Sequence, residues 1–177
     1  MNILISGPCG VGKTTISKKI ALSMGRNYFN FDEIGLLDME ERKPNISPFS
    51  HFGLNLLECM RIMLEKNKGE FILEIGGDNI FRQGANNLKY LTDLYEIKRR
   101  YSMKIFVIHA DKNSLYGRFF KTRSNTRYNN FEKIWCDWVN IIKPNWEKCS
   151  DFWLDTSSLS IIKTCQILEE KIRDLSL

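Results

Sequence analysis

The sequence predicts a doubly wound α/β fold, a three-layer sandwich with a five-stranded parallel sheet between helices on both faces. Three observations carry this. Five short runs are apolar throughout rather than alternating, as strands buried on both faces require. Segments with apolar residues at helical spacing separate these runs, so strand and helix alternate. No repeat, low-complexity tract or linker interrupts the 177 residues, a length that suits one compact domain over 1–177.

In chain order, a strand over 2–6 runs into a glycine-rich turn and a helix over 13–24. A second strand spans 28–31. Residues 40–50 hold Pro44, Pro48 and turn-forming Asn and Ser, and read as a loop over the site. A helix over 52–66 leads to a strand over 71–75, a helix over 86–101, a strand over 104–109 and a helix over 114–121. Residues 122–130 are polar, basic and poorly periodic, so a small mobile lid is expected at about 118–130. The helix over 130–148 carries Trp135, Trp138 and Trp146, which at helical spacing serve packing more readily than base stacking. A strand over 152–154 precedes a helix over 159–175, whose stripe is Leu159, Ile162, Cys165, Ile167, Leu168 and Ile172.

Composition narrows the function classes. Hydrophobic residues at 43% and charged residues at 27% exclude a disordered chain. No run reaches the roughly 18 apolar residues of a membrane helix. The first seven residues lack a basic stretch and a long apolar run, so no secretory leader is read there. Cys9, Cys59, Cys136, Cys149 and Cys165 form no C-x-x-C pair and leave an odd thiol, which suits a reducing cytoplasm. The net charge of +5 accommodates an anionic small molecule or a nucleic acid and decides neither. His51 and His109 lack the spacing of metal ligands.

The strongest signal is Gly7-Pro8-Cys9-Gly10-Val11-Gly12-Lys13-Thr14-Thr15, which satisfies G-x-x-x-x-G-K-[ST] between a strand and a helix. Glycines let successive N–H groups close on phosphate oxygens, and the helix adds its positive end. In that pattern Lys13 bridges the β- and γ-phosphates of ATP and the Thr14 hydroxyl ligates Mg²⁺. Cys9 reads as a small residue at a variable loop position.

The whole arrangement resembles the small-molecule kinases among the P-loop NTPases, most closely shikimate kinase-like and nucleotide kinase-like enzymes. Asp32 ends the second strand where those kinases carry an Asp-x-Asp pair; Asn30 replaces the first Asp. The resemblance implies that Asp32 contacts the acceptor hydroxyl, and a carboxylate at that strand end can also orient or deprotonate one. Glu74-Ile75-Gly76-Gly77-Asp78 resembles the family's triple-glycine turn beside the acceptor, with Asp78 in place of the third glycine. Gly76, Gly77 and Asp78 are therefore substrate-side candidates. Glu74 reads as a carboxylate holding a metal-bound water, and one of Glu74 and Asp78 is expected in the metal shell.

Arg118, Arg123 and Arg127 resemble the lid arginines that close over ATP, Arg118 on the nucleotide side. Thr156 and Ser157 sit where the family's fifth-strand turn passes the adenine. The acceptor pocket departs from the family. Leu57 and Glu58, and then Ile142 beside Lys143, stand where arginines clamp the shikimate carboxylate, so a shikimate kinase is not expected. Arg61 and Arg82 are spare candidates for an anionic acceptor.

The expectation is a cytoplasmic ATP- and Mg²⁺-dependent phosphotransferase, Lys13, Asp32, Arg118 and Arg127 carrying the chemistry, with an unassigned small-molecule acceptor and no membrane partner. A nucleoside, nucleotide or polynucleotide 5′-hydroxyl kinase stays open, with nucleic acid the less favoured partner. So does a non-catalytic ATP-binding switch. A GTPase is not expected, because Asn67-Lys68-Gly69-Glu70 has Glu where guanine recognition needs Asp and precedes a strand.

Overall fold

The Ile3-Leu4-Ile5 run forms β1 (Asn2–Ser6), and its apolar residues are wholly buried because the strand lies at the centre of the sheet. In a computed structural model that describes residues 1–31, 69–81, 86–122 and 131–176, four more strands join it. They are β2 (Asn27–Asn30), β3 (Phe71–Glu74), β4 (Met103–His109) and β5 (Phe152–Asp155). Every pairing is parallel, in the order β2-β3-β1-β4-β5. The inner strands β3 and β4 are the strongly apolar ones. The edge strands β2 and β5 carry Asn and Asp and remain partly exposed, as unpaired edges should.

Helices cover both faces. On one, α1 (Lys13–Ser23), α4 (Lys112–Thr122) and α7 (Ile161–Asp174) pack Ile16, Ile20, Leu115, Phe119, Leu168 and Ile172 onto Ile3, Ile5, Ile72 and Phe106. On the other, α3 (Asn87–Arg100) buries Leu91, Leu94 and Ile97 against Leu4, Leu73 and Ile105. A long segment packs beside α3: α5 (Phe131–Asp137), a π-turn over Trp138–Ile142, and α6 (Lys143–Cys149). The predicted five-stranded α/β sandwich is therefore the observed one.

The helix boundaries differ from the sequence expectation by one or two residues, for local reasons. Asp111 accepts from Ser114 N at 2.9 Å, so α4 starts before residue 114. Ser160 accepts from Lys163 N at 3.2 Å and moves the start of α7 to Ile161. Ile162, expected in the buried stripe, is 70% exposed; Thr164 faces inward instead.

The predicted single helix over 130–148 is broken by the π-turn. Pro144 has no N–H to continue the α ladder, and Lys143 N instead reaches back five residues to Trp138 O. The Asn145 side chain donates to Ile141 O at 2.6 Å, beside the point where the ladder changes. Two further readings, the loop over 40–50 and the helix over 52–66, lie outside the described residues.

Burial raises the Cys149 thiol to about 12, which makes it inert, and Cys9, Cys136 and Cys165 are also unbridged. Among the described residues no helix is long and apolar enough to cross a membrane.

Gly117 lies inside α4, where a Cβ would meet no atom within 4 Å. Gly117→Ala is expected to stabilise the fold by about 0.5–1 kcal/mol, since alanine loses less backbone freedom in a helix. A thermal melt should show Tm rising by roughly 1–4 °C; a fall would contradict the open helical environment.

Candidate active site

β1 ends at Ser6 and the chain turns through residues 7–12 into α1, at the C-terminal edge of the central strand. Gly12 holds φ 98° and ψ 18°, a left-handed conformation that glycine adopts at no steric cost, and the helix begins at the next residue. Gly7 is demanded by contact: a Cβ there would lie 2.1 Å from Ile108 O on β4. No side chain caps α1 and no acidic residue lies in its first turn. Its leading N–H groups and the positive end of its dipole therefore favour an anion.

Lys13 folds back over the loop, donating to Gly7 O at 3.0 Å and Pro8 O at 2.9 Å. This places its charge beside the mouth of the loop. The Thr14 hydroxyl donates to Glu74 Oε1 at 2.7 Å, and the Tyr28 hydroxyl donates to the other carboxylate oxygen, Oε2. Glu74 is only 4% exposed, whereas Thr14 is exposed. The strand register explains the meeting: Glu74 pairs with Ile5 on one side and Asn30 on the other, so all three side chains face α1.

Asp78, the other metal-side candidate, is exposed and lies in the first turn of a short helix, α2 (Gly77–Ile80). The turn that the sequence predicts over Gly76-Gly77-Asp78 is thus the start of a short helix. Gly77 N donates to Gly7 O at 3.1 Å and Trp146 Nε1 donates to Gly77 O at 2.9 Å. A Cβ on Gly77 would lie 2.8 Å from Trp138 Cζ3 and 2.9 Å from Gly7 O. Two of the tryptophans read as packing residues thus also press the Gly76–Gly77 turn against the phosphate loop. Trp138 stacks in turn on Trp153, at 6.4 Å between centroids.

Arg118 is held on the turn after β5. It donates to Thr156 Oγ1 at 3.0 Å and Thr156 O at 2.6 Å, and the Thr156 hydroxyl donates to His109 O at 2.8 Å. Thr156 is 2% exposed, so its side chain braces the turn, while Ser157 is the more open of the pair. His109 packs on Trp153 with ring centroids 5.2 Å apart, and burial lowers its pKa against the pull of Asp155. Asp32, Arg123 and Arg127, with Arg61, Arg82 and His51, lie outside the described residues.

Asp111 secures the same turn from the other side. Its carboxylate is held down at about 2, first by Ser114 N–H, then by the Ser114 and Ser157 hydroxyls. Because the folded value lies below the unfolded one near 3.8, its contribution to stability is complete above that value. It is lost as pH falls toward about 2. Urea titrations across that window should show wild type losing more stability than Asp111→Asn; parallel losses would remove Asp111 as the cause.

Tyr28 belongs to no motif of the sequence. Its signal there is slight: an aromatic two residues before Asn30, hence on the same face of an edge strand. Its partner Glu74 lies 46 residues away, and only the β2–β3 register brings the two together.

Comparison with known proteins supplies the relationship. A 91-residue segment is 34% identical to the mitochondrial Lon protease homolog of Caenorhabditis elegans, covering 49% of this chain and 9% of that protein. An 89-residue segment is 27% identical to shikimate kinase of Marinomonas sp. (strain MWYL1), covering 46% of this chain and 47% of that one. Each match thus spans less than half of the relative's length. The fold matches shikimate kinase from Acinetobacter baumannii, solved in complex with shikimate, with TM-score 0.71 at 17% identity, over 99% of this chain and 94% of that one. Residues 3–107, a stretch that holds the phosphate loop, Tyr28 and Glu74, match the family described as "ATPase family associated with various cellular activities (AAA)". That stretch is more than half of the chain, which therefore belongs to this family, on the P-loop fold shared with shikimate kinase and other small-molecule kinases.

Proposed function

We propose that this chain is a phosphotransferase that moves the γ-phosphoryl group of ATP to a hydroxyl or phosphate oxygen of a small metabolite. The observation that carries it is the meeting of Lys13, the uncapped start of α1 and the Thr14–Glu74 pair at the C-terminal ends of β1 and β3. The family match ends at residue 107, whereas the likeness to shikimate kinase runs through the C-terminal helices and supports a kinase over a plain ATPase.

The loop N–H groups bind the phosphate oxygens and Lys13 turns from its carbonyls to the β- and γ-phosphates. The acceptor oxygen bonds to the γ-phosphorus as the bond to the β,γ-bridging oxygen breaks, and ADP leaves with that electron pair. For a hydroxyl acceptor, Asp32 orients the group and takes its proton. Arg123 and Arg127 approach the transferred group, and Arg118 holds the nucleotide-side turn through Thr156 and Ser157. Gly76, Gly77 and Asp78 border the acceptor. Mg²⁺ fits an exposed hydroxyl above a buried carboxylate, because this hard cation takes a few protein oxygens and completes its shell with phosphates and water. When bound it neutralises charge developing between the phosphates.

Shikimate is not the proposed acceptor. Ile142 is buried in the core, and Lys143 lies 3.7 Å from the Glu147 carboxylate, so neither supplies a guanidinium clamp. ADP release from MgATP, measured against shikimate, nucleosides, nucleoside monophosphates and 5′-hydroxyl oligonucleotides, tests the proposal with Lys13→Ala as blank. One acceptor raising release well above the rate in water supports a kinase and identifies its class. Tight ATP binding with no stimulation across a broadened metabolite panel would count for an ATP-binding switch instead.

A further inference from the structure

Glu74 is a carboxylate at 4% exposure with both oxygens hydrogen-bonded, Oε1 by Thr14 and Oε2 by Tyr28. A buried carboxylate needs such donors, because desolvation otherwise disfavours its charge. The two donors come from different elements, the exposed first turn of α1 and the edge strand β2. Lys18, one helical turn beyond Thr14, places its ammonium 5.4 Å from the centre of the Tyr28 ring, so α1 engages this phenol as well. Asn30, the register partner of Glu74, faces the same side and adds no charge.

The hydrogen-bond direction matters for the metal. A threonine hydroxyl has one proton and two lone pairs. With its proton committed to Glu74 Oε1, Thr14 keeps its lone pairs for a hard cation. That arrangement lasts only while the carboxylate keeps its orientation, and the Tyr28 bond to Oε2 restricts rotation of the carboxylate plane. Removing the phenol hydroxyl leaves one oxygen of a buried carboxylate unsatisfied and lets it turn away from Thr14.

We propose that Tyr28 is a positioning residue for the divalent cation: it fixes Glu74 so that Thr14 presents its lone pairs to the metal that accompanies the nucleotide. The proposal rests on the phosphotransferase reading for the presence of nucleotide and metal, and adds to it a third residue from β2.

Calorimetric titration of ADP tests it, first with chelator and no divalent metal, then over a series of Mg²⁺ concentrations. Tyr28→Phe is expected to raise the Mg²⁺ concentration for half-maximal tightening by roughly tenfold, the scale of one lost hydrogen bond to a charged group. Metal-free ADP affinity should stay within about twofold, since the aromatic packing is retained. Glu74→Gln should act in the same direction, and the double variant should be no worse than Glu74→Gln alone. Glu74→Asp keeps the charge but draws the carboxylate back from both Tyr28 and Thr14, and should shift the Mg²⁺ midpoint at least as far as Tyr28→Phe does; this arm serves if the latter folds poorly.

Equal weakening of metal-free and Mg²⁺-bound ADP by Tyr28→Phe would overturn the proposal in favour of packing. An unchanged midpoint, or additive effects in the double variant, would overturn it too. A wild type that binds ADP without regard to Mg²⁺ would sink the metal placement while leaving nucleotide binding intact. One that binds no ADP at all would overturn the phosphotransferase reading and this proposal with it.

Discussion

Lys13→Ala is expected to lower phosphoryl transfer by about 10²–10³-fold, the scale of losing one preorganised electrostatic contact to the transition state. The ammonium donates to Gly7 O and Pro8 O. These contacts are partly exposed and join atoms already close in sequence, so their loss should change Tm by only a few degrees. The diagnostic is the separation of the two readouts: collapse of transfer with a nearly unchanged melt. Equal collapse of both would mean that Lys13 holds the loop together, and a retained rate would remove it from the chemistry.

Gly7→Ala is expected to give the opposite separation, a large loss of stability that carries activity with it. The added Cβ would sit 2.1 Å from Ile108 O, a backbone atom of β4 that no side-chain rotation can move. Either β1 and β4 separate or the loop shifts. The cost is about 3 kcal/mol, the upper part of the range for overpacking, which a thermal melt would show as Tm lower by roughly 6–12 °C. Gly7 O also receives Lys13 Nζ and Gly77 N, so a displaced loop disturbs both the Lys13 side chain and the turn after β3. A variant that melts with wild type would show that the β1–β4 junction yields more readily than its backbone contact implies.

Those two substitutions differ in how far the sequence anticipates them. Lys13 was recognisable because nine consecutive residues determine the loop, and hydrogen bonding and φ preferences act over that short range. The strands were equally legible: apolar runs such as Ile3-Leu4-Ile5 and Ile105-Phe106-Val107-Ile108 have no favourable place in a parallel sheet except between two layers of helices. The need for glycine at residue 7 was legible as a motif position, but its cause, the carbonyl of Ile108, was not. The π-turn before Pro144 was likewise unforeseen, because a proline near the end of an apolar helical stripe can break, kink or widen it.

The parallel α/β sandwich and the phosphate loop are legible in the order of the amino acids alone. Each of those rests on contiguous residues or on the period of burial. Which distant side chains meet emerges from the folded sheet: Tyr28 and Thr14 on Glu74, Trp138 and Trp146 on Gly77, Arg118 on Thr156. Strand register is the cause. A parallel strand shifted by one residue would turn Glu74 from the α1 face to the opposite face, with no change in the apolar pattern of the flanking runs. What selects the observed register is packing summed over both faces of the sheet, a sum that no single stretch of the chain contains.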